Sequence, residues 1–93
     1  MRIGVLTVSF SLPGCRSLKD KRQRLSGLRE RFGRQSNVAV CESNFADAHQ
    51  RAEWSFVATG RNATLVEQTL TEIEQRILES VDAEVLDMAR QML

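Results

Sequence analysis

The sequence predicts an α/β (α+β) two-layer sandwich, a four-stranded antiparallel sheet with two helices on one face. Three observations predict it. Apolar and β-branched residues gather into four short runs, two stretches with helical apolar spacing separate them, and the order reads β-α-β-β-α-β. Each β-α-β half of such a chain joins parallel strands through a right-handed crossover, so the halves interleave and both helices fall on the same side.

The first run, Ile3 to Phe10, is apolar, β-branched and of strand length. Leu6, Val8 and Phe10 share one face; Ile3, Val5, Thr7 and Ser9 share the other. Both faces begin apolar, which predicts a central strand. Leu12-Pro13-Gly14, with the chain's one proline, ends it. Ser17 then caps a helix from Ser17 to Gly33, with Asp20 at the capping-box position. Leu18, Leu25, Leu28 and Phe32 form its apolar stripe, and Gly33 suits its C-terminal end.

Asn37 to Glu42 predicts a second strand, followed by a polar loop from Ser43 to Gln50. Arg51 to Thr59 predicts a third, with Ala52, Trp54, Phe56 and Ala58 on one face. Gly60-Arg61 ends it. Asn62, with Thr64 as its rival, caps a second helix ending near Ser80, where Val66, Leu70, Ile73 and Ile77 repeat at helical spacing. Glu84 to Met92 supplies the last strand, with Val85, Asp87 and Ala89 alternating with Leu86, Met88 and Arg90. The whole is a ferredoxin-like sandwich, and its uncovered sheet face is solvated or takes a partner.

A chain of 93 residues fits a single domain. Its 42% hydrophobic and 27% charged residues exclude extended disorder, and a net charge of +1 gives the whole molecule no strong field. The distribution is uneven. Arg16 to Arg34 holds eight Lys or Arg against two acids, whereas Asn62 to the end holds seven acids against two arginines. Such asymmetry marks either a polyanion-facing surface or two oppositely charged helices lying side by side. Cys15 and Cys41 show no close pairing, no signal peptide opens the chain, and no apolar run nears the roughly 18 residues of a membrane span. A cytoplasmic protein with reduced thiols and no membrane attachment is expected, with Cys41 a small buried strand residue.

The stretch Leu12-Pro13-Gly14-Cys15-Arg16-Ser17-Leu18-Lys19-Asp20-Lys21-Arg22, after Ile3-Gly4-Val5-Leu6-Thr7-Val8, resembles the start of the YlxP-like family of small bacterial proteins. Asn37-Val38-Ala39-Val40, Asp47, Gln50-Arg51-Ala52-Glu53 and Val85-Leu86-Asp87 continue the resemblance over nearly the whole length. It implies a ferredoxin-like fold with no established biochemical activity. The family's genes are often neighbours of those for translation initiation and ribosome maturation factors, which implies RNA or ribosome association.

The residues themselves point to Gly14 through Arg22, with Arg24 just beyond. A glycine turn feeding a helix N-terminus exposes amides where the dipole favours anions, and Arg16, Lys19, Lys21 and Arg22 surround it. Gly14, Arg16, Ser17, Lys19, Lys21, Arg22 and Arg24 are therefore the candidate phosphate- or nucleic-acid-binding residues. Lys21 also falls in the middle of the apolar stripe, where a lysine either snorkels past the end of the sheet or pairs with a carboxylate such as Glu42 or Glu53. Arg22 and Arg29 share one flank of the helix, and Arg24 and Arg31 the other. Trp54 and Phe56 resemble base-stacking strand aromatics, but without a matching motif on the first strand they read as core. Lone His49, beside Asp47 and Glu53, has no close ligand pairs and no nucleophile beside it. The expectation is a non-enzymatic protein without cofactor that contacts RNA or the ribosome. The alternatives are a homodimer formed through the open sheet face and a binder of a small phosphorylated ligand.

Overall fold

Alternation along the first strand decides the layering. In the computed structural model, which describes residues 1–93, Leu6, Val8 and Phe10 are fully buried, whereas Ile3, Val5, Thr7 and Ser9 are half-buried on the opposite face. The elements are β1 (Arg2–Ser11), α1 (Leu18–Phe32), β2 (Val38–Asn44), β3 (Arg51–Gly60), α2 (Ala63–Ser80) and β4 (Glu84–Met92). The sheet runs β2-β3-β1-β4 with every neighbouring pair antiparallel, so β1 and β3 are central and β2 and β4 are edges. This is the ferredoxin-like α+β sandwich.

The register sets the core. Leu6 lies opposite Phe56 and Val8 opposite Trp54, so the inward residues of the two central strands meet under the helices. Phe32 closes α1 onto β3 through an edge-to-face contact with Phe56, centroids 5.5 Å apart. Val66, Leu70, Ile73 and Ile77 of α2 are all buried. One cluster of 17 residues results. Trp54 and Phe56 belong to it and leave no aromatic on the open face for stacking.

Gly4 shows how closely α2 sits on β1. A Cβ there would lie 2.7 Å from Val66 Cγ1 and 2.9 Å from Met92 Sδ, so the glycine is required by the approach of the helix. Both helix starts are capped through side chains. Ser17 Oγ accepts from the Asp20 amide at 3.0 Å and Asn62 Oδ1 from the Leu65 amide at 3.0 Å; Thr64 takes no capping role.

Three expectations change. Cys41 is exposed, because Val38, Val40 and Glu42 take the helix-facing positions of β2 and the odd positions turn to the open face. Strict alternation fails in β4. Ser9 pairs with Asp87 but Phe10 with Val85, so Leu86 is the extra residue of a bulge. Val85 and Met88 consequently both pack on the core, while Leu86 is 51% exposed. The oppositely charged helices do not pair acid to base. Arg24 reaches Asp82, just past α2, at 3.4 Å, while Glu74 of α2 pairs with Arg90 of β4 at 2.8 Å.

Candidate functional site

The turn before α1 is built for its glycine. The Cys15 amide donates to the Leu12 carbonyl at 3.2 Å, with Pro13 and Gly14 between them and Gly14 at φ +76°. That is the pattern of a type II turn, which needs a positive φ at its third residue. A Cβ on Gly14 would touch nothing within 4 Å, so conformation and not space selects glycine here. Leu12 and Cys15 are buried beneath the turn, and the Leu12 amide is held by the Gln50 carbonyl at 3.0 Å. The entrance to α1 is therefore fixed from below by core contacts and from the side by the loop before β3.

Ser17 satisfies one amide of the first turn, and the amides of Leu18 and Lys19 precede the first helical bond, from the Lys21 amide to the Ser17 carbonyl. Asp20 gives its amide to the cap. Arg16, Lys19 and Arg22 are exposed around this end. Arg16 also borders an open depression of about 580 Å³ shared with Cys15, Asp47, His49 and Gln50. His49 is exposed there, and no three His, Cys, Asp or Glu side chains converge anywhere in the chain.

Lys21 does not join this set. It is 3% exposed, and its ammonium donates to the carbonyls of Phe45 at 3.0 Å, Ala46 at 3.3 Å and Arg51 at 3.3 Å. Glu42 Oε2 lies 2.9 Å away. An ammonium has three hydrogens, and here four acceptors, three carbonyls and the Glu42 carboxylate, lie within 3.3 Å of it. The lysine ties α1 to the 45–51 loop, and no hydrogen remains for a phosphate. Arg24 is also engaged within the chain. Its Nε donates to the Asp82 carbonyl at 3.0 Å and its Nη1 to the Pro13 carbonyl at 3.1 Å, so it staples the turn to the end of α2.

The set that faces solvent is Gly14, Arg16, Ser17, Lys19 and Arg22, and it continues along one flank of α1. A cleft of about 290 Å³ between that flank and the sheet is lined by Arg22, Arg29, Glu42 and Trp54 among others. The Arg29 guanidinium covers the Trp54 ring at 5.5 Å from its centroid. Arg22 and Arg29 share a flank because seven residues are close to two helical turns. On the far flank Arg31 donates to Ser80 Oγ at 2.9 Å.

One feature beside the entrance had no sequence signal beyond an aromatic within a polar loop. Phe45 has φ +61°, rare for a bulky residue, and the residue is 37% exposed. Arg51 lies over that ring at 4.7 Å.

No curated protein matches the chain significantly. A family model described as "Protein of unknown function (DUF503)" matches residues 3–90. Since that match takes in every strand and both helices but for the first residue of β1 and the last two of β4, the chain belongs to this family.

Proposed function

We propose that this protein binds RNA through the entrance of α1, as a non-enzymatic partner of RNA or the ribosome. The observation that carries the reading is the exposed trio Arg16, Lys19 and Arg22 around a rigidly held helix N-terminus, free of the internal bonds that consume Lys21 and Arg24. Phosphate oxygens suit this place twice over, through the guanidinium and ammonium groups and through the unpaired first-turn amides. Such contacts give affinity without choosing a sequence. The resemblance of Leu12 to Arg22 to the YlxP-like family supports the same reading through that family's translation-linked gene neighbourhood.

The test is a titration of ribosomal RNA with the wild type and with an Arg16→Glu/Arg22→Glu variant. Both positions are exposed, so the variant folds. The reading expects binding by the wild type and its loss in the variant; equal binding by both would remove it. Competition by inorganic phosphate or nucleotides without any RNA binding would favour the small phosphorylated ligand instead.

A second reading has one observation in its favour. Ile3, Val5 and Val57 lie on the sheet face that neither helix covers, and Val57 is 37% exposed. Self-association of two copies over that face would bury them. Sedimentation at high concentration tests it, and a monomer there excludes it.

A further inference from the structure

We infer that Phe45 and Arg51 form a stacking platform for an unpaired base, so that the RNA bound at the α1 entrance is single-stranded. This rests on the RNA reading above and specifies its ligand. Three observations carry it. First, Phe45 is a partly exposed aromatic in the loop whose carbonyls Lys21 of α1 holds. An aromatic with an open π-face is what single-strand-binding proteins offer to bases.

Second, its backbone is forced to hold it there. At φ +61° a bulky residue pays strain, and the chain restrains it from both sides. Its amide donates to Asn44 Oδ1 at 2.8 Å, and its carbonyl accepts from Lys21 Nζ at 3.0 Å and from the Ala48 amide at 3.0 Å. Glycine or asparagine would meet the same backbone with less strain. The ring adds nothing to the buried core, to which Phe45 does not belong. A strained, partly exposed aromatic outside the core, packed only against Arg51 among the contacts seen, is placed to take an external partner.

Third, Arg51 already occupies one face of the ring, 4.7 Å from its centroid. Its guanidinium fixes the ring plane by cation–π attraction and places a positive charge beside whatever stacks on the ring. The platform is also anchored to the phosphate-binding end of α1. Lys21 bonds the carbonyls of Phe45 and Arg51 directly, one residue before Arg22. Asp47 lies farther along the same loop, in the depression it shares with Arg16. Carboxylates stand on both sides, Asp47 in that depression and Glu42 in the α1-flank cleft, so the backbone follows the exposed basic side chains Arg16, Lys19 and Arg22 while a base turns toward Phe45. A duplex keeps its bases paired and inside, and offers none to this ring.

The experiment uses a labelled single-stranded RNA of about 12 nucleotides, a length within the site sizes of single-strand binders, and the same strand annealed to its complement. The full chain is titrated as wild type, Phe45→Gly, Phe45→Asn and Phe45→Trp. Both Gly and Asn accept the positive φ, so these variants keep the fold while removing the ring; thermal melts confirm it. The inference expects the single strand to bind more tightly than the duplex. It expects about tenfold weaker single-strand binding in Phe45→Gly and Phe45→Asn, with duplex binding unchanged. In Phe45→Trp, affinity is kept and binding quenches indole emission by more than in the wild type, whose only tryptophan is Trp54, 6% exposed. Folded Gly and Asn variants that bind as tightly as wild type overturn the platform and leave the phosphate reading standing. Failure of the wild type to bind either RNA at low salt overturns both.

Discussion

Lys21 sets the local structure around the site more than any other side chain. It enters from a helix whose neighbouring inward positions are leucines, and the carbonyls of a loop fold around its ammonium. Its place inside the apolar stripe was readable from spacing, and pairing with Glu42 or Glu53 was one expected outcome, of which the fold selects Glu42. The three carbonyls were not readable, because they depend on the path of the 43–50 loop, which has no periodicity to declare it. The same loop concealed Phe45, whose direction follows from a left-handed backbone that no propensity favours for phenylalanine. Lys21→Met strands a carboxylate and three carbonyls, and should lower stability by about 3 kcal/mol in urea denaturation. A loss within experimental error would mean that the loop holds itself. Arg90 contrasts with it at the surface. The hydrogen bond it donates to the Glu74 carboxylate raises its pKa above the ordinary arginine value, outweighing its partial burial, with charge attraction from Glu74 and Glu67 adding to it. A raised pKa stabilises the fold fully below the unfolded value and is lost only as pH rises through the higher folded one, so this contact is constant across neutral pH.

At the scale of elements, local signals and packing agree over most of the chain. Ser17 and Asn62 cap the two helices, and the four-residue stripe of α2 is the buried one. Asn62→Ala should cost about 1 kcal/mol and Asn62→Gly only a few tenths, as read from paired thermal melts. Gly4→Ala should cost about 1–3 kcal/mol despite adding one methyl, because Val66 cannot yield and α2 must lift from β1. Retained stability would place the helix farther from the strand. The bulge in β4 was the element-level feature that period-two reading missed. An extra residue leaves no mark in a sequence where Leu86 and Met88 are equally apolar, and only the pairing with β1 shows which of them turns outward. Cys41 was misplaced for a related reason. On an edge strand with mixed residues, the face is chosen by Val38 and Val40 together, and a lone cysteine follows.

For the whole molecule, charge is nearly balanced at +1, so attraction to a polyanion must come from where the charges sit. The sequence placed eight bases between Arg16 and Arg34 but could not say which were free. The fold sorts them. Lys21 and Arg24 hold the structure together, Arg29 covers Trp54, and Arg16, Lys19 and Arg22 remain around the helix entrance. No helix of the chain is long and apolar enough to cross a membrane. The central claim is that three phosphates meet those three side chains, and the salt dependence of RNA affinity measures that number most directly. Single-strand binding should weaken linearly on a double-logarithmic plot against salt, with a slope near −2, the value of about 0.7 per phosphate multiplied by three. In an Arg16→Glu/Lys19→Glu/Arg22→Glu variant, binding should disappear at every salt concentration. A slope near zero, or a variant that binds with the wild-type slope, would contradict the account.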